Sequence, residues 1–175
     1  FWRLPSVTRD DPAYHDNVYW RGRIWPPLNL LTYLGLRRAW QDDTAQRLAG
    51  DSYRLFEQAW RKGQCPENFN ADSGLADDQP DTDLFYGWGG LMPLIATLDI
   101  SRLTPWAGWE IDLKPGTWSL GPLKVAGHDV ELRAADGWVS LHRDGVEIAA
   151  TDMPGTWWRL AIADDALSCL STGGG

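Results

Sequence analysis

Hydrophobic positions in the first hundred residues repeat with a helical period in three stretches. Residues 43–62 carry apolar side chains every three or four positions and polar ones on the opposite face, which predicts an amphipathic helix. Residues 26–40 and 84–98 are apolar on nearly every side, which is typical of helices that are buried all round. Pro26 and Pro27 suit the first turn of a helix, because no backbone N–H is needed there.

After Thr104 the alternation of polar and apolar residues changes to a period of two. Segments such as 109–113 and 146–148 alternate strictly, which indicates half-buried strands. The dipeptides Asp136-Gly137 and Asp144-Gly145 lie between such runs and favour tight hairpin turns. This part is therefore predicted to be an antiparallel unit of about six short strands.

The order of helix types suggests a fold for the first part. A buried helix, an amphipathic helix and a second buried helix match an α/α toroid, in which inner and outer helices alternate, whereas a plain bundle would show amphipathic helices only. The predicted fold class is thus α+β by segregation, with the C-terminal helices of a toroid followed by a small antiparallel β unit. The predicted domains are residues 1–103 and 104–175.

Composition excludes some classes of partner. The chain has 175 residues and a net charge of -8, which argues against binding to a nucleic-acid phosphate backbone. No apolar run approaches the length of a membrane span and no basic patch is present, so no membrane partner is expected. The chain begins at Phe1 without a signal-like segment and ends in a Gly-rich tail, and we expect it to be a piece of a longer protein.

Cysteine and histidine usage predicts no metal and no cofactor. Cys65 and Cys169 are the two cysteines; two unrelated free thiols are favoured over a disulfide, so the compartment stays open. The three histidines lack metal-ligand spacing. The acidic residues in 72–83 lack the Gly and the terminal Glu of an EF-hand loop, which favours a solvated loop over a calcium site.

Tryptophan supplies the first candidate chemistry. Of the 12 tryptophans, Trp20, Trp25 and Trp88 lie beside Gly, Arg or Pro rather than in apolar stripes, so they are candidates for stacking on a ligand. Residues 19–29 read Tyr-Trp-Arg-Gly-Arg-Ile-Trp-Pro-Pro-Leu-Asn. Arg21 and Arg23 can donate forked hydrogen bonds to vicinal hydroxyls, or can stack on tryptophan merely to fix the start of a helix.

Glu67 is the candidate carboxylate. It lies in a helix-breaking segment, Cys-Pro-Glu-Asn-Phe-Asn-Ala-Asp-Ser-Gly, which spans residues 65–74. Residues 85–90, Phe-Tyr-Gly-Trp-Gly-Gly, form a third block, whose glycines permit close approach to a ligand or to a neighbouring helix. Stacking rings and hydrogen-bonding forks beside a carboxylate suit a sugar ring and its glycosidic bond. A carbohydrate-active site is therefore predicted, with an oligosaccharide or small glycoside as substrate.

These blocks resemble the C-terminal part of glycoside hydrolase family 63, the group of processing α-glucosidases and mannosylglycerate-hydrolase-like enzymes. The resemblance covers residues 14–98 and implies an (α/α)6 barrel that hydrolyses an α-linked glucoside or mannoside with inversion. It implies that Glu67 is the general base. The substrate-binding residues that it implies are Tyr19, Trp20, Arg21, Gly22, Arg23, Trp25, Asn29, Asn68 and Trp88.

The family's general acid, an Asp in an earlier part of the barrel, has no counterpart in this chain. An inverting mechanism needs two carboxyl groups about 6.5–9.5 Å apart. We therefore expect a fragment that carries the base, is inactive alone, and has the missing N-terminal part of the same enzyme as its partner.

Two other classes of function stay open. The chain is alternatively a non-catalytic carbohydrate-binding or assembly module, with a platform formed by Trp106, Trp109, Trp118 and Trp138 in its β part. It is alternatively another α/α-toroid enzyme, such as a trehalase or a polysaccharide lyase, for which Tyr19 or Tyr86 offers a base.

Overall fold

The computed structural model describes the backbone of residues 2–104, 108–152, 157–163 and 166–173, and the side chains of residues 2–101, 109–152 and 158. The chain divides into two compact units, Phe1–Asp99 and Ile100–Gly175. Each unit has its own hydrophobic core.

The first unit combines three α-helices with a very short sheet. The helices are α1 (Pro26–Arg38), α2 (Asp42–Trp60) and α3 (Leu91–Ile100), the last ending at the boundary of the unit. Two short 3-10 helices occupy Pro12–Asp16 and Gly87–Gly90. Strands β1 (Arg23–Ile24) and β2 (Phe69–Asn70) form a two-stranded antiparallel sheet.

Helix α2 follows directly from its sequence pattern. Its buried residues recur at helical spacing along one face and include Ala45, Leu48, Ser52, Leu55 and Ala59. Asp42 and Asp43 lie in its first turn, where carboxylates interact favourably with the positive end of the helix dipole. The same face packs into a core that contains Ile24 and Phe69 of the short sheet, so α2 supports the segment from which the candidate site is built.

The prediction of toroid helices is wrong. The described residues of the first unit form three α-helices, and more of the chain lies in antiparallel strands than that prediction allowed. The helices expected to be buried all round expose leucines, namely Leu31 and Leu34 on α1 and Leu94 on α3. A helix with apolar residues on every side can be buried completely. Its sequence does not show that neighbouring elements cover every side. In addition, residues 84–90 precede α3 as extended and 3-10 structure, so that helix is shorter than predicted.

The described residues of the second unit form two antiparallel four-stranded sheets. Its strands are β3 (Ser101–Thr104), β4 (Gly108–Asp112), β5 (Trp118–Val125), β6 (His128–Ala135), β7 (Trp138–Arg143), β8 (Val146–Thr151), β9 (Trp157–Ala163) and β10 (Ala166–Gly173). The strand orders are β10-β9-β4-β3 and β5-β6-β7-β8. Both dipeptides predicted as hairpin turns, Asp136-Gly137 and Asp144-Gly145, join consecutive strands with positive φ at both residues, as tight hairpins require.

Candidate active site

The short sheet brings the first two sequence blocks together. Arg23 pairs with Asn70, and Ile24 pairs with Phe69. Ile24 and Phe69 are both fully buried, so the pairing is anchored in the core of the first unit. The tryptophan-rich segment and the segment that carries Glu67 therefore lie side by side.

The third block is attached to the Glu67 segment through the backbone. The amide of Cys65 donates to the carbonyl of Leu84 at 2.9 Å, and the amide of Glu67 donates to the carbonyl of Asp83 at 2.9 Å. Gly89 lies so close that a Cβ there would stand 2.7 Å from the Pro66 carbonyl oxygen. The backbone on either side of Glu67 is thus held by the segment that leads to Trp88.

A tight turn displays two of the aromatic residues. Val18 and Arg21 exchange backbone hydrogen bonds at 3.1 and 2.9 Å, which places Tyr19 and Trp20 at the tip. Tyr19 adopts a φ of 45°, in the left-handed region that costs a non-glycine residue about 1–3 kcal/mol. Such strain persists where the surrounding structure enforces it, and it often marks functional segments.

Gly22 follows this turn and cannot be replaced without a clash. Its φ is +94°, and a Cβ would lie 2.2 Å from the backbone oxygen of Tyr14. The glycine of the first block is therefore explained by a close backbone approach. It contributes to the site by shaping the turn.

Five rings form an aromatic cluster: Tyr19, Trp20, Trp25, Tyr86 and Trp88. Trp25 is fully buried at its centre, stacks on Trp20 with 3.8 Å between centroids, and meets Trp88 edge to face at 6.0 Å. Trp20 is 40% exposed and Trp88 is 37% exposed. Two indoles fixed by a buried third ring give a pre-ordered apolar surface that is open to solvent.

Arg23 is fully buried, and its guanidinium group is bound to protein partners. Nε donates to Asn68 Oδ1, and Nη1 donates to Asn17 Oδ1 at 3.1 Å. Nη2 pairs with the carboxylate of Asp78 at 3.0 Å. A buried guanidinium must be satisfied in this way, because an unpaired buried charge is costly.

Asp78 is held ionised by its donors. Burial by itself would raise the pKa of Asp78, but hydrogen bonds from Arg23, Asn70 and Asn17 outweigh it, so this pKa lies below its usual value. The Asn70 amide donates at 2.6 Å and the Asn17 amide at 3.0 Å. Asp78 thus joins both short strands and the loop that precedes them into one polar network.

Asn68 connects this network to Glu67. Its side chain is buried, and its amide nitrogen lies 3.4 Å from Glu67 Oε2. Its oxygen accepts from Arg23 Nε and from the Thr82 hydroxyl, the latter at 3.2 Å. Glu67 itself is partly buried.

Two other residues of the first block lie in different surroundings. Arg21 is exposed and pairs with Asp16 beside the turn. Asn29 is buried on α1, where its amide nitrogen donates to Ser52 on α2 at 3.0 Å and its amide oxygen has no protein partner. The structure therefore joins Glu67, Asn68 and Arg23 in one network, with Asn29 directed toward α2.

The tryptophans of the second unit differ in exposure. Trp109 is buried, and Trp118 donates from Nε1 to the Lys114 carbonyl at 2.9 Å. Trp138 is exposed, and Trp106 lies outside the described residues. Among the four candidates for a β platform, the described side chains include one that is open to solvent.

The described part of the chain holds no cluster of three or more His, Cys, Asp or Glu side chains suited to a metal ion. Nor is any helix in the described ranges long and apolar enough to cross a membrane. Burial raises the pKa of the Cys65 thiol, and the side chain of Cys169 lies outside the described residues.

Sequence reasoning missed Asn17 and Asp78, which bind the Arg23 guanidinium group, and Thr82, which donates to Asn68. The sequence of the acidic segment 72–83 predicts a solvated loop, yet Asp78 in this segment supplies the counter-charge of a buried guanidinium. One signal was present: Arg23 stands between a glycine and an apolar pair in a tryptophan-rich segment. A buried arginine there requires a carboxylate, and the acidic segment offers five aspartates.

Comparison with known proteins relates this chain to a glycoside hydrolase family. Residues 1–89 match the model of the mannosylglycerate hydrolase MGH1-like glycoside hydrolase domain. The chain is 37% identical over 54 residues to mannosylglycerate hydrolases MGH1 and MGH2 of Selaginella moellendorffii, which covers 31% of this chain and 11% of each relative. The chain therefore spans a small part of those relatives' length. No solved structure matches it.

Proposed function

The chain belongs to the MGH1-like glycoside hydrolase family, and we propose that it carries the general base of a glycosidase that inverts configuration at an α-linked glucoside or mannoside. The observation that carries this proposal is the meeting of the three blocks around Glu67 and its neighbour Asn68, which is buried. Mannosylglycerate is the first substrate to test, because the matched relatives are named for it. Membership in this family also disfavours the trehalase and lyase alternatives.

In the proposed reaction, Glu67 removes a proton from a water molecule that attacks the anomeric carbon. The bond between that carbon and the glycosidic oxygen breaks, and a second carboxyl group protonates the departing oxygen. An inverting pair stands about 6.5–9.5 Å apart, which leaves room for the water. We propose that the general acid comes from sequence outside this chain, since the chain covers only 11% of its relatives' length.

The aromatic cluster suits the sugar ring. Trp20 and Trp88 offer partly exposed indole faces, and Tyr19 lies beside Trp20 at the strained turn. Arg21, exposed at the same turn, is placed to donate to sugar hydroxyls or to an acidic aglycone. In this proposal the rings stabilise the bound sugar and Glu67 acts on water.

The role of Glu67 is tested in an active enzyme that contains this chain. Glu67→Gln keeps the shape of the side chain but removes the base, so kcat should fall about 10²–10⁴-fold with KM nearly unchanged. Glu57→Gln, an exposed glutamate on α2 paired with Arg61, is the matched control and should keep full activity. Full activity of Glu67→Gln would refute the assignment.

Two further measurements test the finer claims. In the wild-type enzyme, proton NMR during hydrolysis should show that the released sugar first appears as the β anomer, which is the inverted configuration. A retained configuration would refute inversion. The isolated chain should hydrolyse neither mannosylglycerate nor α-glucosides, and robust turnover by it would show that the general acid is present in this chain.

A further inference from the structure

We infer that Arg23 and Asn68 are positioning residues for Glu67, and that they form a buried relay which fixes the carboxylate. This inference rests on the proposed function of Glu67. It reassigns two residues that the family resemblance implied were sugar-binding. Their contacts within the protein indicate that they position Glu67 instead.

The guanidinium group of Arg23 is fully engaged in contacts within the protein. Its side chain has no exposed surface, and its three nitrogens donate to Asn68, Asn17 and Asp78. Direct contact with a sugar would require Arg23 to leave the ion pair with Asp78. Breaking a buried ion pair is strongly unfavourable, so Arg23 acts through its partners.

The orientation of the Asn68 amide follows from its donors. Arginine Nε is always a hydrogen-bond donor, so the Asn68 atom that faces it must be the oxygen. The Thr82 hydroxyl donates to the same oxygen at 3.2 Å. The amide nitrogen is thereby fixed on the other side, 3.4 Å from Glu67 Oε2, with an N–H available for the carboxylate.

A fixed donor restricts the carboxylate. Held through Oε2, Glu67 would present Oε1 to the attacking water in a single orientation. The donor is buried and anchored by a charged partner, so it needs little reorganisation during the reaction. Small errors in the placement of a reacting group lower rates steeply, which gives the relay a catalytic consequence without contact with the sugar.

Asn68→Asp removes the donor to Glu67 and leaves in place the contacts of residue 68 that support the fold. The new carboxylate keeps an acceptor for Arg23 and Thr82, but it faces Glu67 with an oxygen instead of an N–H. In the active enzyme we expect kcat to fall about 10- to 100-fold with KM within about twofold, similar to the loss of a hydrogen-bond partner behind a metal ligand. Gln64→Glu is the matched control, because this amide lies near Asp77 at 3.5 Å and outside the relay.

The kinetic constants of Asn68→Asp distinguish a positioning role of Asn68 from sugar binding and from a purely structural role. A raised KM with unchanged kcat for Asn68→Asp would mean that Asn68 binds the sugar, and wild-type values for both would mean that its role is structural only. Either result overturns the inference, provided that Glu67→Gln is inactive. If Glu67→Gln is active, the proposed function fails first.

A second variant protects the test against misfolding. Thr82→Val removes one of the two donors to the Asn68 oxygen while keeping the shape of a buried side chain. We expect a smaller loss of kcat, about two- to tenfold, with KM unchanged and the far-UV circular dichroism spectrum of the wild type. Unchanged kcat in a folded Thr82→Val enzyme would overturn the inference if Asn68→Asp does not fold.

Discussion

Arg23 and Asp78, 55 residues apart in the sequence, form an ion pair at 3.0 Å in which the guanidinium is fully buried. The pair joins the tryptophan-rich segment to the acidic loop. The same guanidinium group also donates to Asn68, which lies beside Glu67. Both the fold around Glu67 and its candidate chemistry therefore depend on the charge of Arg23.

Asp78→Asn should destabilise the first unit by about 3 kcal/mol, because it leaves a buried guanidinium without its counter-charge. The free energy of unfolding in urea measures the change. Asp81→Asn, an exposed aspartate in the same loop, is the matched control and should stay within about 0.5 kcal/mol of the wild type. Equal stabilities for the two variants would contradict the importance of the pair.

The pair also predicts a pH dependence. Because the folded-state pKa of Asp78 lies below its ordinary value of 3.8, its stabilisation is complete above that value and is lost as the pH falls through the lower folded pKa. The wild type should therefore lose more stability than Asp78→Asn between about pH 5 and about pH 2. Urea unfolding of both proteins across this range measures the difference, and parallel curves would contradict the prediction.

Gly22→Ala should be strongly destabilising, by about 2–4 kcal/mol, since its Cβ would clash with the backbone of Tyr14 and its φ is unfavourable for alanine. The matched control is Gly35→Ala in α1, where a Cβ meets nothing within 4 Å. That change should stabilise the protein by about 0.8–1.0 kcal/mol through helix propensity. Thermal unfolding of both variants checks the opposite signs.

The aromatic surface predicts where sugar binds. Trp20→Ala and Trp88→Ala should each weaken substrate binding about tenfold, which is about 1.4 kcal/mol. Trp138→Ala, an exposed tryptophan of the second unit, is the matched control and should bind as the wild type does. Fluorescence titration with mannosylglycerate measures all three. Loss of binding in Trp138→Ala alone would favour the carbohydrate-binding-module alternative.

The sequence predicted local structure where one residue pattern has one physical reading. Helix α2 was predicted well because its apolar residues form a single face, and the two hairpin turns because Asp-Gly tolerates positive φ. The toroid was not a safe inference from α1 and α3. Their apolar residues are compatible with burial and with exposure alike, and Leu31 and Leu34 are exposed.

Several residues of the candidate site could be predicted from the sequence, but the contacts between them could not. Glu67, Asn68, Arg23 and the tryptophans were all singled out by residue type. Their pairing through β1 and β2 was not, because two-residue strands carry no periodicity. The assignment of Arg23 to buried support required the positions of Asn17 and Asp78, which no local pattern in the sequence specifies.

The brevity of the β1–β2 sheet has a consequence for the folding pathway. Its two residue pairs, Arg23 with Asn70 and Ile24 with Phe69, close a long loop that includes all of α1 and α2. Such distant contacts form slowly, whereas helices form from local ones. Helical circular dichroism should therefore recover before the amide of Ile24 becomes protected from hydrogen exchange, and a refolding chain should regain its helices before Glu67 is brought beside the tryptophan-rich segment.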